Sequence, residues 1–301
     1  MANASGSSNK VVVLVLVVIL VSAAGISYTL LQNVENPNIP DDVPSEPILD
    51  IDEAIEINND TQFQSYVMEH SLPGTGLRDD PYVISGLSIV EDGICIAIRN
   101  VEVAFLIQDC ALKSTSDYWG MAIYLSKCTS ARVEGCRTEG GISGIEFFQC
   151  NDAVIMNCYV GFSFFGINSS ASHRAFVKGN TIYNTSWAIA AICSNDTVFE
   201  SNRILYNEIG LTSQFSYNCS IILSNMTDNV KGVFLDVLCQ NWTICYNRFE
   251  RNVDGNARDD GIWNQWDNGD DFGNYWDDYS GVGWYTIPGT AESVDRYPQG
   301  L

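Results

Sequence analysis

Histidine is nearly missing from this 301-residue chain, which holds only His70 and His173. They stand 103 positions apart, and neither lies in a Cys, His or Met cluster with ligand spacing, which speaks against a copper or zinc centre. Positive charge is scarce as well: 15 Lys and Arg face 37 Asp and Glu, for a formal net charge of −22. Neutralising phosphates takes clustered cations, so a general nucleic-acid-binding role is excluded. The same shortage disfavours a lyase, which needs a cationic base beside an acidic sugar. Disorder is excluded by the 46% hydrophobic content, enough for a continuous core.

What the chain does have is a period. Ala122, Gly144, Gly166, Ala188, Gly210 and Gly232 recur every 22 residues, each followed by an aliphatic: Ile123, Ile145, Ile167, Ile189, Leu211 and Val233. Gly93-Ile94 joins this series if Lys113 to Trp119 is an insertion of seven. A second apolar column holds Val133, Ile155, Val177, Phe199 and Ile221, with Thr243 breaking it, and a third holds Cys136, Cys158, Asn180, Asn202 and Ser224 before Tyr246. A fixed period with aliphatics in register means stacked units that bury their apolar faces only against one another. The copies are short runs of β-branched and aromatic residues punctuated by Gly, Asn and Ser, which favours strands. The expectation is an all-β, right-handed parallel β-helix of about seven 22-residue coils. At about 4.8 Å per coil the rod is about 34 Å long. Asn180 and Asn202 are placed to extend an amide ladder along the axis.

Around the rod the chain divides into six segments: a cytoplasmic tail (1–10), a transmembrane anchor (11–31), a Pro-rich acidic linker (32–50), an N-terminal cap (51–71), the β-helix (72–253) and a C-terminal cap (254–301). Val11 to Leu31 is 21 residues without charge, long enough to span a bilayer core of about 30 Å. Lys10 precedes it and no cation follows until Arg78, which puts the N-terminus in the cytoplasm and the rest outside. Ser22-Ala23-Ala24-Gly25 leaves a cleaved signal peptide as the alternative. Pro37, Pro40, Pro44 and Pro47 make the linker read as a semi-rigid stalk. Asp60-Thr61 is placed to cap a short helix through His70, with Phe63, Tyr66 and Val67 on one face covering the first coil.

Ten cysteines, all beyond the apolar segment, are compatible with export. Cys128 and Cys150, and Cys136 and Cys158, stack on neighbouring coils, either as disulfides or as free thiols. Glycosylation sequons stand at Asn59, Asn168, Asn184, Asn195, Asn218, Asn225 and Asn241, and Asn3 on the other side is expected to be silent.

Two end motifs carry a resemblance. Gly74 to Ile89 (GTGLRDDPYVISGLSI) and the closing Gly273-Asn274-Tyr275-Trp276-Asp277-Asp278-Tyr279-Ser280-Gly281, with Tyr285-Thr286-Ile287-Pro288-Gly289 and Val294-Asp295-Arg296-Tyr297-Pro298, resemble the ends of exported NosD-like and CASH-domain β-helix proteins. The Asp-rich, Gly-containing loop that many relatives carry after the NYWxDY segment is replaced here by Val282-Gly283-Trp284. That resemblance implies glycan hydrolysis, glycan binding or accessory work at a copper site, and fold alone selects none of them.

For hydrolysis two facing carboxylates are needed, about 5–5.5 Å apart for retention or about 6.5–9.5 Å for inversion. Asp259, Asp260, Asp270, Asp271, Asp277 and Asp278 are the candidates, but adjacent residues on a strand point to opposite faces. For binding, Trp263, Trp266, Tyr279 and Trp284 offer flat faces to sugar rings, or else plug the last coil. Trp276 is expected to be buried as a plug and Trp284 to be exposed. No cofactor is expected. The reading is a single-pass surface module that contacts polysaccharide or a cell-surface protein, with a glycoside hydrolase as the alternative and a NosD-like copper accessory protein as a remote one.

Overall fold

A computed structural model describes residues 39–116 and 119–300 as a parallel β-solenoid of about eight turns. The apolar run Val11–Leu31 and the tail before it lie outside the described residues, and no described helix is long and apolar enough to cross a membrane. Each coil contributes one strand to each of three sheets. Strands from Ile55–Ile57 to Ala257–Asp259 form a nine-stranded first sheet, those from Tyr82–Ser85 to Thr243–Cys245 an eight-stranded second, and those from Ser88–Glu91 to Tyr275–Trp276 a nine-stranded third.

The repeat is the ladder register. Ile123, Ile145, Ile167, Ile189, Leu211 and Val233 are successive Cα partners, and all are buried. The small residue before each is small because the coil bends inward there: a Cβ on Gly144 would lie 2.5 Å from Val160 Cγ1 and 2.9 Å from the Gly166 carbonyl oxygen. Three register details differ from the expectation. Ile96, not Ile94, pairs with Ile123, because a shift of two keeps the same face inward and the residue pattern does not distinguish them. Ile221 pairs with Ile244, so one residue inserted in that coil moves Thr243 out of the column and the apolar row continues unbroken. The same insertion puts Asn247, not Tyr246, in line with Ser224.

Helix α1 (Asp60–His70) is capped by Asn59, whose side chain accepts the Gln62 N–H at 2.9 Å, so the cap lies one residue before the expected one. Phe63 and Val67 enter the main core, with the Phe63 ring 5.4 Å from that of Phe105. The linker is not a free stalk over residues 39–50. Val43 is buried against Tyr183 and Leu205, Asp42 pairs with Arg203, Arg137 donates to the Glu46 carbonyl and Ser88 Oγ to that of Leu49. This strap lies across the strands of the third sheet.

The disulfide candidates are corrected. All ten cysteines are free thiols. Residues at one register position on parallel strands point the same way, and the thiols serve as ladder members: Cys150 Sγ accepts the Cys128 N–H at 3.4 Å, while Cys136 and Cys158 point their thiols at the carbonyls of Glu134 (3.5 Å) and Met156 (3.2 Å). Of the sequons, Asn59, Asn218 and Asn241 are exposed and Asn184, Asn195 and Asn225 half-buried. Asn168 is buried beside Ser170, with no room for a glycan on the folded chain.

Candidate functional site at the C-terminal end

Stacked coils leave a polar chain at each corner, in which a side-chain oxygen accepts the backbone N–H of the preceding coil. One such ladder passes from Cys158 to Asn180, Asn202, Ser224, Asn247 and Asn274, each step 2.9–3.1 Å. A second runs through Thr185, Asn207, Asn229 and Asn252. A third runs through Cys150, Ser172, Ser194 and Ser216. A last coil has no successor, so its N–H and amide groups need an acceptor from elsewhere. A carboxylate is suited to this because it accepts and donates nothing.

The cap carboxylates fill that position. Asp295 Oδ2 takes the Asn274 N–H at 2.7 Å and the Trp276 indole N–H at 2.9 Å, while Oδ1 takes the Tyr297 N–H at 3.0 Å. Asn252 passes the second ladder to Asn256, which donates to Asp277 and Asp278, both at 3.0 Å. Near the end of the third ladder, Asp259 binds the Gly261 N–H, the Asn264 amide and the Trp266 indole N–H at 2.8–2.9 Å. Asn264 in turn accepts the Trp242 N–H at 2.9 Å.

The six acidic candidates therefore divide. Asp259 is fully buried and committed, and Asp260 is held by Arg258 and the Thr290 N–H. Asp277 also accepts the Arg251 N–H, and Asp278 the Tyr285 hydroxyl at 3.0 Å. Asp270 and Asp271 are exposed in a loop whose turn is built by Asn268. Asp277 and Asp278 are the two that converge, and the group between them is the Asn256 amide, which donates to both.

The aromatics divide too. Trp276 is fully buried, stacked on Phe249 at 4.5 Å and Tyr285 at 4.1 Å. Trp266 is also fully buried, which removes it from any sugar-binding surface: its indole is needed by Asp259. Tyr279 is half-buried, with its hydroxyl on the Gly283 carbonyl at 2.6 Å. Trp263 and Trp284 stand 79% and 66% exposed.

Burial pushes the Asp295 carboxyl above the usual range, and likewise Glu146, which is buried and takes the Ser143 hydroxyl at 2.8 Å. Burial opposes but does not overcome the guanidiniums of Arg258 and Arg296, so Asp260 and Asp267 stay below their usual values. Raised groups lend stability below their unfolded pKa that is lost as pH rises; lowered ones lend stability above theirs that is lost on acidification. The melting temperature should rise on acidification from neutral pH toward the ordinary carboxylate pKa of about 4, as the raised groups take up protons, and fall on further acidification as the lowered Asp groups protonate. In Asp295→Asn the first rise should shrink; an unchanged pH profile would remove Asp295 as its source.

Asp295 and Glu146 carried no role in the sequence reading. Asp295 was visible as part of the closing motif, whereas Glu146 gives no signal beyond being a charge in the strand Ser143–Phe148.

These features define a coil-repeat protein closed at its C-terminal end by aromatics and acceptor-only carboxylates. Residues 83–281 match the family described as periplasmic copper-binding protein (NosD), and the chain belongs to that family. Among solved structures it is similar to the Azotobacter vinelandii mannuronan C-5 epimerase AlgE4 A-module, at 11% identity and a TM-score of 0.45, over 73% of this chain and 77% of that one. It is also similar to an alginate lyase from Paenibacillus sp. str. FPU-7, at 11% identity and a TM-score of 0.40, over 83% and 95%. No curated protein matches the chain.

The family description implies copper, and the donors of this chain do not fit it. Among the described residues no three His, Cys, Asp or Glu are grouped to hold an ion. His173 Nδ1 accepts the Asn195 N–H at 3.1 Å, and His70 stacks on Tyr66 at 4.1 Å. Metal ligation takes thiolates, whereas burial pushes the Cys95 and Cys219 thiols up to about 12.

Proposed function

We propose that the protein is an exported surface module, anchored by Val11–Leu31, that binds polysaccharide through exposed aromatic side chains and is not a hydrolase. The observation that carries this reading is the division at the C-terminal end. Four of the six candidate carboxylates hold ladder ends or cap loops together, while Trp263 and Trp284 hold nothing and face solvent. Flat rings at a surface stack on sugar faces without needing a buried catalytic pair. In the same reading α1 covers the first coil, and the tail from Asp254 onward covers the last, as an open parallel stack requires.

Glycan-array binding by the full chain in detergent micelles tests it. Trp263→Ala and Trp284→Ala should each leave thermal stability within about 0.5 kcal/mol, as exposed substitutions do. At least one of them should lose glycan binding. Retained binding in the double variant would refute the aromatic surface, and release of reducing ends from a bound polysaccharide would favour the hydrolase.

A further inference from the structure

The strap over the third sheet lies in a seat that recognises peptide. The floor of this seat is built in register from Arg137, Tyr159 and Arg203 in one row and Gly161, Tyr183 and Leu205 in the next. Gly161 is required there, because a Cβ on it would lie 2.6 Å from the Tyr183 ring. Val43 packs against Tyr183 and Leu205, and a turn presents it: the Pro40 carbonyl accepts the Val43 N–H at 3.0 Å. Of residues 39–50 only Pro40 and Val43 are buried. Asp42 pairs with Arg203. Past Val43 the hold passes to the main chain. Glu139 takes Nε and Nη2 of Arg137, whose Nη1 donates to the Glu46 carbonyl, and Ser88 Oγ donates to that of Leu49. What the seat reads is one carboxylate, one valine on a proline turn, and carbonyls of an extended chain.

Within one chain the strap is taut and its match incomplete. Val43 rests on the coils of Tyr183 and Leu205, while Asp50 Oδ1 accepts the Val90 N–H at 3.3 Å. These points are four to five coils apart, about 19–24 Å. Seven residues of fully extended chain reach about 23–25 Å, so the strap has almost no slack with which to adjust its contacts. The Tyr183 hydroxyl, on a fully buried side chain in the seat, has no hydrogen-bond partner among the described residues. The hold is also slight. Residues 44–47 are exposed and belong to no strand of the sheet, the kind of segment that opens locally at little cost.

We infer that this seat is an interface between two copies of the chain, which exchange straps so that each carries the Pro40–Glu46 segment of the other on its third sheet. A second copy is the partner that the seat fits, because its strap brings the same turn, carboxylate and valine, and exchange of an identical element re-forms those contacts. The cost is release of Asp50 to Asp52 from Ser88 and Val90. The gain is slack. Freed back to Ala54, residues 43–54 reach about 40–43 Å, enough to cover the same rise on a rod lying alongside. A strap with slack is able to shift until one of its carbonyls takes the Tyr183 hydroxyl. Polarity fixes the arrangement: the strap runs from the coil of Leu205 down to that of Val90, so the two rods lie parallel, related by a two-fold axis along their length.

The test uses the full chain in detergent micelles and a synthetic peptide with the sequence of residues 39–50. Val43→Asp disables the strap and Leu205→Asp the seat; Val43→Ser and Leu205→Ser serve if circular dichroism shows that either first variant does not fold. An occupied seat is competent only while its occupant is away, so the peptide should bind the Val43→Asp chain about tenfold or more tighter than the wild type. A peptide carrying the same Val43→Asp change should not bind. Mixed together, the two variants supply one sound strap and one sound seat, and they should associate as a pair in sedimentation while neither pairs with itself. The wild type should form a dimer that each variant alone loses. Failure of the peptide to bind the folded Val43→Asp chain would overturn the seat as a peptide site. Peptide binding without association in the mixture, or a wild type that sediments as a monomer throughout, would overturn the exchange and leave the strap a contact within one chain.

Discussion

Replacing Ile167 by Asp should leave no folded solenoid. Ile167 is fully buried between Ile145 and Ile189 in the inward column of the first sheet. Deleting a buried isoleucine side chain costs about 2–5 kcal/mol. An unpaired carboxylate in its place adds several kcal/mol or forces protonation. The sum is comparable to the whole stability of a domain, about 5–15 kcal/mol. Because each coil contacts only its neighbours, the break falls in the middle of the stack and splits it into two short, open-ended pieces. Ile167→Val, losing one methylene, should cost only about 0.5–1.5 kcal/mol. Far-UV circular dichroism and a melting curve on both variants check this. A cooperative, near-native melt in Ile167→Asp would contradict the stacked core.

That much was legible from spacing alone, since a constant period and an inward aliphatic specify which atoms meet. What failed to read correctly did so for identifiable reasons. Ile94 stands in the expected column where Ile96 belongs because strand side chains alternate with period two, so a slip of two residues is invisible in hydrophobicity. Thr243 looked like a break because a single inserted residue shifts the count without changing the ladder. The strap read as a stalk because proline and acid are what a solvated linker contains, and a single buried valine, Val43, is too small a signal to mark docking. The acidic doublets read as catalytic candidates because composition shows carboxylates but not their donors. The asparagine column was legible at Asn180 and Asn202, yet nothing in it announces that a ladder must end on an acceptor, which is the role of Asp295.

The end of the ladder and the end of the core meet at Trp276, and its truncation is the second large effect. Trp276→Ala should cost about 3–5 kcal/mol, the range for buried aromatic truncations. Part of this is volume: the ring fills the space between Phe249 and Tyr285, and both stacks are lost. Part is the acceptor left behind, because Asp295 loses one of its donors while keeping those from Asn274 and Tyr297. Trp276→Phe keeps one six-membered ring for the stacks and removes the indole N–H together with part of the ring volume, so it should cost less than Trp276→Ala but at least the about 1–3 kcal/mol of a buried hydrogen bond cut on one side. Since Trp276 and Asp295 are hydrogen-bonded, their losses should not add: the double variant Trp276→Phe/Asp295→Asn should be less destabilised than the sum of the two single ones. Urea unfolding of the full chain in micelles measures all four variants. Strict additivity would mean that the indole and the carboxylate act independently, and unchanged stability in Trp276→Ala would mean that the NYWDDY segment does not close the solenoid.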